Sequence, residues 1–293
     1  MYLSIWLGIT LSTTQTGCTV GKFELPSLRS SSPIAIAPAT PTMMEPSAPL
    51  NANVNIPSVP PPGARVRYSS VTTDQPVLAM TFDDGPHPVH TPKLLDMLRA
   101  RNIKCTFFLV GQLVPRYPDI VRRILADGHE IGNHTYTHCS LTSRSDAQIR
   151  TELQKSQDAV LSVAGYRPRL LRPPYGATNR RIEQWIFNEF GYSTVMWSVD
   201  PQDWRKPGSS VVTSRLVNGA HKGAIMLAHD IHAPTITAMP AMFDQLLAKG
   251  YRFVTVSQLM NIEKSTMPLG VVIRHAEPVT DNAVRTASKA GGS

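Results

Sequence analysis

The chain has 293 residues, 42% of them hydrophobic and 17% charged; this is enough apolar material for one large domain with a proper core and too much for a chain disordered throughout. Three cysteines exclude a disulfide-stapled scaffold, and no apolar run reaches the roughly 20 residues of a bilayer-crossing helix. The formal charge of +8 is dispersed, with no long basic block and no aromatic interleaving, which argues against a nucleic-acid partner.

In chain order, residues 1–21 read as an export signal or a lipoprotein-like N-terminus. Met1 to Val20 carries no charged side chain, and an apolar stretch from Tyr2 to Leu11 gives way to small polar residues up to Gly17-Cys18. The usual basic start is missing. For acylation of Cys18, Gly17 suits the position before the cysteine, whereas Gln15 stands where leucine is usual; a buried hydrophobic segment is the plainer alternative. Residues 22–66 hold ten prolines between Pro26 and Pro62 with no aromatic residue in that stretch, a composition that cannot bury a core and predicts a semi-rigid tether. Any membrane link is therefore expected through the N-terminus, and the spacer points to an extracytoplasmic substrate.

Residues 67–262 change character, because short β-rich apolar runs alternate with segments of helical period. Strands are predicted at Val77–Phe82, Thr106–Val110, Glu130–Gly132, Leu170–Arg172, Ser193–Ser198, Ala224–Ala228 and Phe253–Val256. Helices are predicted at Pro92–Arg101, Pro118–Asp127, Asp146–Val163, Asn179–Phe190, Ser209–Asn218 and Ile236–Lys249. The third helix has Ser145 or Asp146 as a cap and an inward stripe of Ile149, Leu153, Val160 and Leu161; Pro240 leaves the start of the last one open. The alternation argues for an α/β fold with a parallel sheet and right-handed crossovers, either open or closed into a barrel. Residues 263–293 read as a loose tail, in which Leu269–Ile273 could dock as a further strand.

The polar residues collect just after the predicted strands: Asp83 and Asp84, His134 and His138, Arg172, Asp200 and Asp203, and His229. In parallel α/β folds the carboxyl ends of strands face one crevice or barrel mouth, so these groups are expected to converge. Each alone has an ordinary reading. Asp83-Asp84-Gly85-Pro86 suits a turn; the i, i+4 histidines suit one face of a helical turn without any ligand; Arg172 and the prolines after it suit a rigid loop; Asp203 and His229 suit a turn residue and a satisfied polar group. Together, however, two His and a strand-end Asp make a three-ligand site with an open position, as a water-activating metal requires. His87, His90, His221 and His232 are read as loop residues with no ligand role, Cys139 as a packed thiol beside His138, and Cys105 as core.

Thr81-Phe82-Asp83-Asp84-Gly85-Pro86, His134-x-x-x-His138, Arg172-Pro173-Pro174-Tyr175-Gly176, Asp200-x-x-Asp203-Trp204 and Leu227-Ala228-His229 resemble, in order, the five motifs of the polysaccharide deacetylases, the NodB-like carbohydrate esterases. The resemblance runs from about Pro76 to Leu259. It implies a distorted (β/α) barrel of about seven parallel strands. It implies that Asp84, His134 and His138 bind a divalent metal, most simply zinc although other first-row ions suit such ligands, and that Asp83 is the general base, oriented and kept ionised by Arg172. By the same resemblance the Tyr175 N–H helps hold the oxyanion, His229 protonates the departing amine with Asp203 favouring its charged form, and Trp204 and Leu227 form apolar walls. The implied reaction is removal of N-acetyl groups from N-acetylglucosamine units of a polysaccharide, peptidoglycan ahead of chitin-like oligomers. An O-acetyl xylan esterase and a catalytically silent carbohydrate-binding or wall-anchoring module are the competing expectations.

Overall fold

The structure, a computed structural model, describes residues 65–266. The readings of residues 1–21 and of the tether up to residue 64, and the extra strand at Leu269–Ile273, lie outside the described residues; the last two residues of the expected tether are described, and the Val66 carbonyl accepts the Thr194 N–H at 2.8 Å. The strands are β1 (Arg67–Tyr68), β2 (Val77–Asp83), β3 (Thr106–Leu109), β4 (Glu130–Asn133), β5 (Leu170–Leu171), β6 (Ser193–Val195), β7 (Ile225–His229) and β8 (Arg252–Phe253). The helices are α1 (His90–Ala100), α2 (Pro118–Ala126), α3 (Asp146–Ala164), α4 (Arg180–Phe190), α5 (Ser209–Gly219), α6 (Ala233–Ala248) and α7 (Val256–Thr266).

All strand pairings are parallel, in the order β1-β6-β5-β4-β3-β2-β7, with β8 added at the start of β2. The sheet curls until its far ends meet. Just past β6, the Ser198 N–H donates to the Ile225 carbonyl and the Leu227 N–H to the Val199 carbonyl, both at 2.9 Å. Because that seam is made of two isolated bridges, Val199 with Met226 and Ser70 with Ala224, rather than a full ladder, the barrel is distorted. This resolves the choice between open and closed sheets that periodicity leaves open.

β2 is buried along its whole length, as expected of a parallel strand covered on both faces. Its side chains alternate: Leu78, Met80 and Phe82 pack outward against the helices, and Val77 and Ala79 pack inward with Phe108, Leu170, Val195 and Ile225. The period of two carries the inward set on through Thr81 to Asp83, so a carboxylate stands at the top of the barrel interior.

Several expectations change. The helix at Asp146 has its Ser145 cap and a capping box with Gln148, but Leu161 is 38% exposed; the inward stripe is completed by Ser156 and Gln157 instead. α6 starts at Ala233 with Pro234 in its first turn, where no intrahelical N–H is missed, and runs on through Pro240. An interior proline costs about 3 kcal/mol, which burial of Ile236, Met239, Met242, Phe243 and Leu246 outweighs at roughly 1.5–3 kcal/mol each. The strand expected at Phe253–Val256 ends at Phe253, and α7 begins at Val256 and continues to Thr266, past residue 262. Its first turn is capped locally by a Thr255–Gln258 capping box and also from afar: Val256 N–H donates to Thr106 Oγ1 at 2.9 Å and Ser257 N–H to Glu130 Oε2 at 3.2 Å. His90 is not in a loop but opens α1. Cys105 and Cys139 are buried and unpaired. No helix among the described residues is long and apolar enough to cross a membrane.

Candidate functional site

At the carboxyl ends of the strands lies a cleft of about 390 Å³, lined by Asp83, Asp84, His134, His138, Pro173, Tyr175, Trp197, Asp200, Trp204, Leu227 and His229. Arg172 and Asp203 sit buried behind this lining. The residues singled out in the sequence therefore gather at one place.

Arg172 is the floor. Its side chain is wholly buried, and every nitrogen of its guanidinium finds an acceptor: Nη1 donates to Asp83 Oδ1 at 2.7 Å and Thr81 Oγ1 at 2.6 Å, Nε to the Val195 carbonyl at 3.1 Å, and Nη2 to the Met196 carbonyl at 3.0 Å. Such a charge tolerates burial only because it is paired and four of its five N–H groups are hydrogen-bonded. The arrangement fixes one oxygen of Asp83 and leaves Oδ2 toward the cleft, 3.8 Å from His134 Nε2.

Asp84 is the next residue, and its positive φ of 75° turns its carboxylate away from that of Asp83. Adjacent acids thus serve two places. Asp84 Oδ1 lies 3.4 Å from His134 Nε2 and 3.0 Å from His138 Nε2. The two histidines are not on a helical turn as their spacing suggests; they bracket a loop after β4, in which Thr135 (φ 61°) and His138 (φ 60°) adopt left-handed backbone. His134 Nδ1 lies 2.7 Å from the Arg172 carbonyl, so Nδ1 carries the proton and Nε2 presents its lone pair. Burial would raise the Asp84 carboxyl, but contacts with His134 and His138 outweigh it and hold the group far below the ordinary carboxylate range.

These three groups could hold a metal. Their ligand atoms all lie within 4.8 Å of one another, and Asp84 Oδ1 is buried without a hydrogen-bond donor. A carboxylate oxygen and two imidazole nitrogens are a donor set for zinc and its neighbours, with a position left for water or substrate.

On the other bank, Asp203 and His229 form a closed pair. His229 Nδ1 is 2.8 Å from Asp203 Oδ1; the other oxygen accepts the His229 N–H and the Thr235 hydroxyl, both at 2.8 Å, and Trp204 N–H donates to Oδ1 at 3.0 Å. Burial disfavours the imidazolium, but the Asp203 carboxylate outweighs it, aided by Asp83 and Asp84, and His229 is raised to about 9. Burial likewise opposes the charge on Asp203, and the bonds from His229 and Thr235 keep it below its usual value.

Apolar surface frames the rest. Tyr175, 74% exposed, meets the His138 ring edge-on at 4.8 Å, and its own φ of 62° aims the backbone of the Arg172-Pro173-Pro174 turn across the cleft. Trp204 is half exposed on the opposite side. Asp200 accepts the Gln202 N–H at 2.7 Å and so shapes the turn into Asp203.

Some supporting residues escape sequence reasoning. Asp230, wholly buried, accepts from the Thr91 hydroxyl and is pushed up to about 7 by burial; it packs so tightly on Gly85 that a Cβ there would lie 2.6 Å from both carboxylate oxygens. The signal was present, since Asp230 directly follows His229 at a strand end. Trp197 was legible only as part of an apolar run, and Thr235 and Glu152 sit inside helices with nothing local to mark them.

A family model for polysaccharide deacetylases matches residues 70–195. PgdA, a peptidoglycan-N-acetylglucosamine deacetylase of Listeria monocytogenes, is 38% identical over 210 residues, which make up 72% of this chain and 42% of the relative; the chain thus spans less than half of that relative's length. A peptidoglycan-N-acetylglucosamine deacetylase of Bacillus cereus is 38% identical over 195 residues, 65% of this chain and 91% of the relative. The structure of the peptidoglycan deacetylase PdaC from Bacillus subtilis superposes with a TM-score of 0.62 at 36% identity, covering 66% of this chain and 93% of that one. With nearly the whole of a relative covered at such identity and the same barrel in a solved structure, the chain belongs to the polysaccharide deacetylase family.

Proposed function

We propose that this chain is a metal-dependent hydrolase that removes N-acetyl groups from N-acetylglucosamine units of an extracytoplasmic polysaccharide, with peptidoglycan as the first substrate and chitin-like oligomers as the second. The observation that carries this reading is the meeting of Asp84, His134 and His138 at one point in a cleft that Asp83 and His229, the latter paired with Asp203, also line. The activities by which the Listeria and Bacillus relatives are named support the choice of substrate. The charge-free N-terminus and proline-rich spacer support action outside the cytoplasm.

Asp84, His134 and His138 would hold a divalent metal, zinc as first choice, which when bound would supply Lewis acidity toward water and the amide carbonyl. The chain's own groups do the rest. Asp83, anchored through one oxygen by Arg172, uses Oδ2 to take the proton from the attacking water. The Tyr175 N–H faces the developing oxyanion. His229, held protonated by Asp203, gives its Nε2 proton to the departing amine. Leu227 and Trp204 line the space for the acetyl methyl group.

The test is acetate release by the metal-loaded full chain from peptidoglycan, N-acetylglucosamine oligomers and O-acetylated xylan. Turnover of the amides is expected. Turnover of esters alone would make the chain an O-acetyl esterase, and metal binding without turnover of any polymer would make it a binding module.

A further inference from the structure

The loop that carries both histidines has no regular ladder to hold it. Two of its five residues, Thr135 and His138, are left-handed without being glycine, a conformation that persists only where the surroundings enforce it. Its carbonyls are held from one side, where Gly111 N–H donates to the Thr135 carbonyl at 2.9 Å and Gln112 N–H to the Tyr136 carbonyl at 3.0 Å. Its amides need acceptors of their own. Asn133 Oδ1 takes the Thr135 N–H at 2.8 Å. The next two go to one side chain on α3: Glu152 Oε2 accepts the Tyr136 N–H at 3.0 Å and the Thr137 N–H at 2.8 Å, and Oε1 accepts the Thr137 hydroxyl at 3.0 Å. Glu152 does not line the cleft. It grips the crest of the loop midway between the two imidazoles.

We propose that Glu152 is a positioning residue that sets the spacing of His134 and His138 and thereby the affinity of the site for its metal. The inference rests on the metal reading above. A tripod of one carboxylate and two imidazoles binds tightly only if the imidazoles are placed before the ion arrives, and groups that orient ligands typically change metal affinity 10–100-fold, as an order of magnitude. Asn133 fixes the His134 end of the loop, so Glu152 is what fixes the His138 end.

Two substitutions in the full chain separate geometry from charge. Glu152→Gln keeps an oxygen where Oε2 accepts the two amides and loses the charge; Glu152→Asp keeps the charge and is one methylene too short to reach them. With Zn²⁺ as the probe in a competition titration, Glu152→Asp is expected to weaken binding by about 10–100-fold and Glu152→Gln to stay within a few-fold of the parent. Hydrogen exchange on the metal-free chains gives a second readout: the Tyr136 and Thr137 amides should lose protection in Glu152→Asp and keep it in Glu152→Gln. Equal affinity in all three chains, or a loss in Glu152→Gln matching that in Glu152→Asp, overturns the proposal. A parent chain that binds no Zn²⁺ overturns the metal reading itself, an outcome distinct from a parent that binds and variants that bind alike.

Discussion

The two banks of the cleft are built on opposite plans. On one, Asp84, His134 and His138 point at a common place, and buried Asp84 Oδ1 has only the two imidazole Nε2 atoms beside it, at 3.4 and 3.0 Å. On the other, the Asp203 carboxylate receives four hydrogen bonds, from its own neighbour Trp204, from Thr235 and twice from His229. A buried oxygen left unpaired is costly unless a partner arrives, so the first bank is incomplete as protein alone and the second is complete. The first also relies on left-handed backbone at Asp84, Thr135 and His138, whereas His229 is simply the last residue of a strand. On the proposed function, one half of this site would receive a cation and the other would tune a proton, and the two halves should then fail differently.

The largest effect is expected from His134→Ala. It removes one ligand and with it the Lewis acid, several kcal/mol of transition-state stabilisation or on the order of 10³-fold or more in kcat. Zn²⁺ titration should show the affinity lost as well; retained affinity would place the ion elsewhere. Next comes Asp83→Asn, expected to lower kcat by about 10²–10⁴-fold while Zn²⁺ stays bound, because Asp83 is outside the ligand triad. The substitution also takes the charged partner from the buried Arg172, so Tm should fall. Full activity in Asp83→Asn would remove it as the base.

How far such a site can be read from sequence depends on the range of the forces that form it. Buried parallel strands announce themselves as continuous apolar runs, and Val77–Phe82 is one. The strand-end position of Asp83, Asp84, Arg172 and His229 then follows from local pattern and the parallel fold. β1 leaves no such trace, because two residues with Arg67 exposed have no period. α7 is misleading at its start because Val254, Thr255 and Val256 are β-branched, yet a local signal is there: Thr255 and Gln258 form a capping box, to which Thr106 and Glu130, 150 and 127 residues away from the amides they cap, add two more acceptors. The histidine spacing misleads in the same way. An i, i+4 pair fits a helical turn, but in this chain the rings approach from an irregular loop whose amides donate to Asn133 and Glu152. Leu161 continues the apolar period of α3 and still faces water, since buried Ser156 and Gln157 take the inward places. Local pattern thus places the candidate groups at strand ends, and hydrogen bonds from neighbouring segments shape the loops that carry them.

The smallest and most diagnostic effect belongs to the second bank. On the proposed mechanism His229 begins the cycle protonated. Its raised value of about 9 means that the acid form is present at neutral pH and is lost as pH climbs through that value. Asp203→Asn keeps a side chain that can accept the Thr235 hydroxyl and removes the charge. Burial, which opposes the imidazolium, is then unopposed by its main counterweight, and His229 should drop to or below the ordinary histidine value near 6.5. The alkaline limb of kcat/KM should therefore move down by about two units or more, with activity at pH 7 reduced on the order of 10-fold and largely recovered at lower pH. Bound metal shifts the limb in both chains alike, so the difference between them survives. Zn²⁺ affinity should stay unchanged, unlike in His134→Ala. An alkaline limb in the same place in parent and variant would mean that the Asp203–His229 pair does not supply the proton, and the contrast between the two banks would then be one of structure without a division of chemical labour.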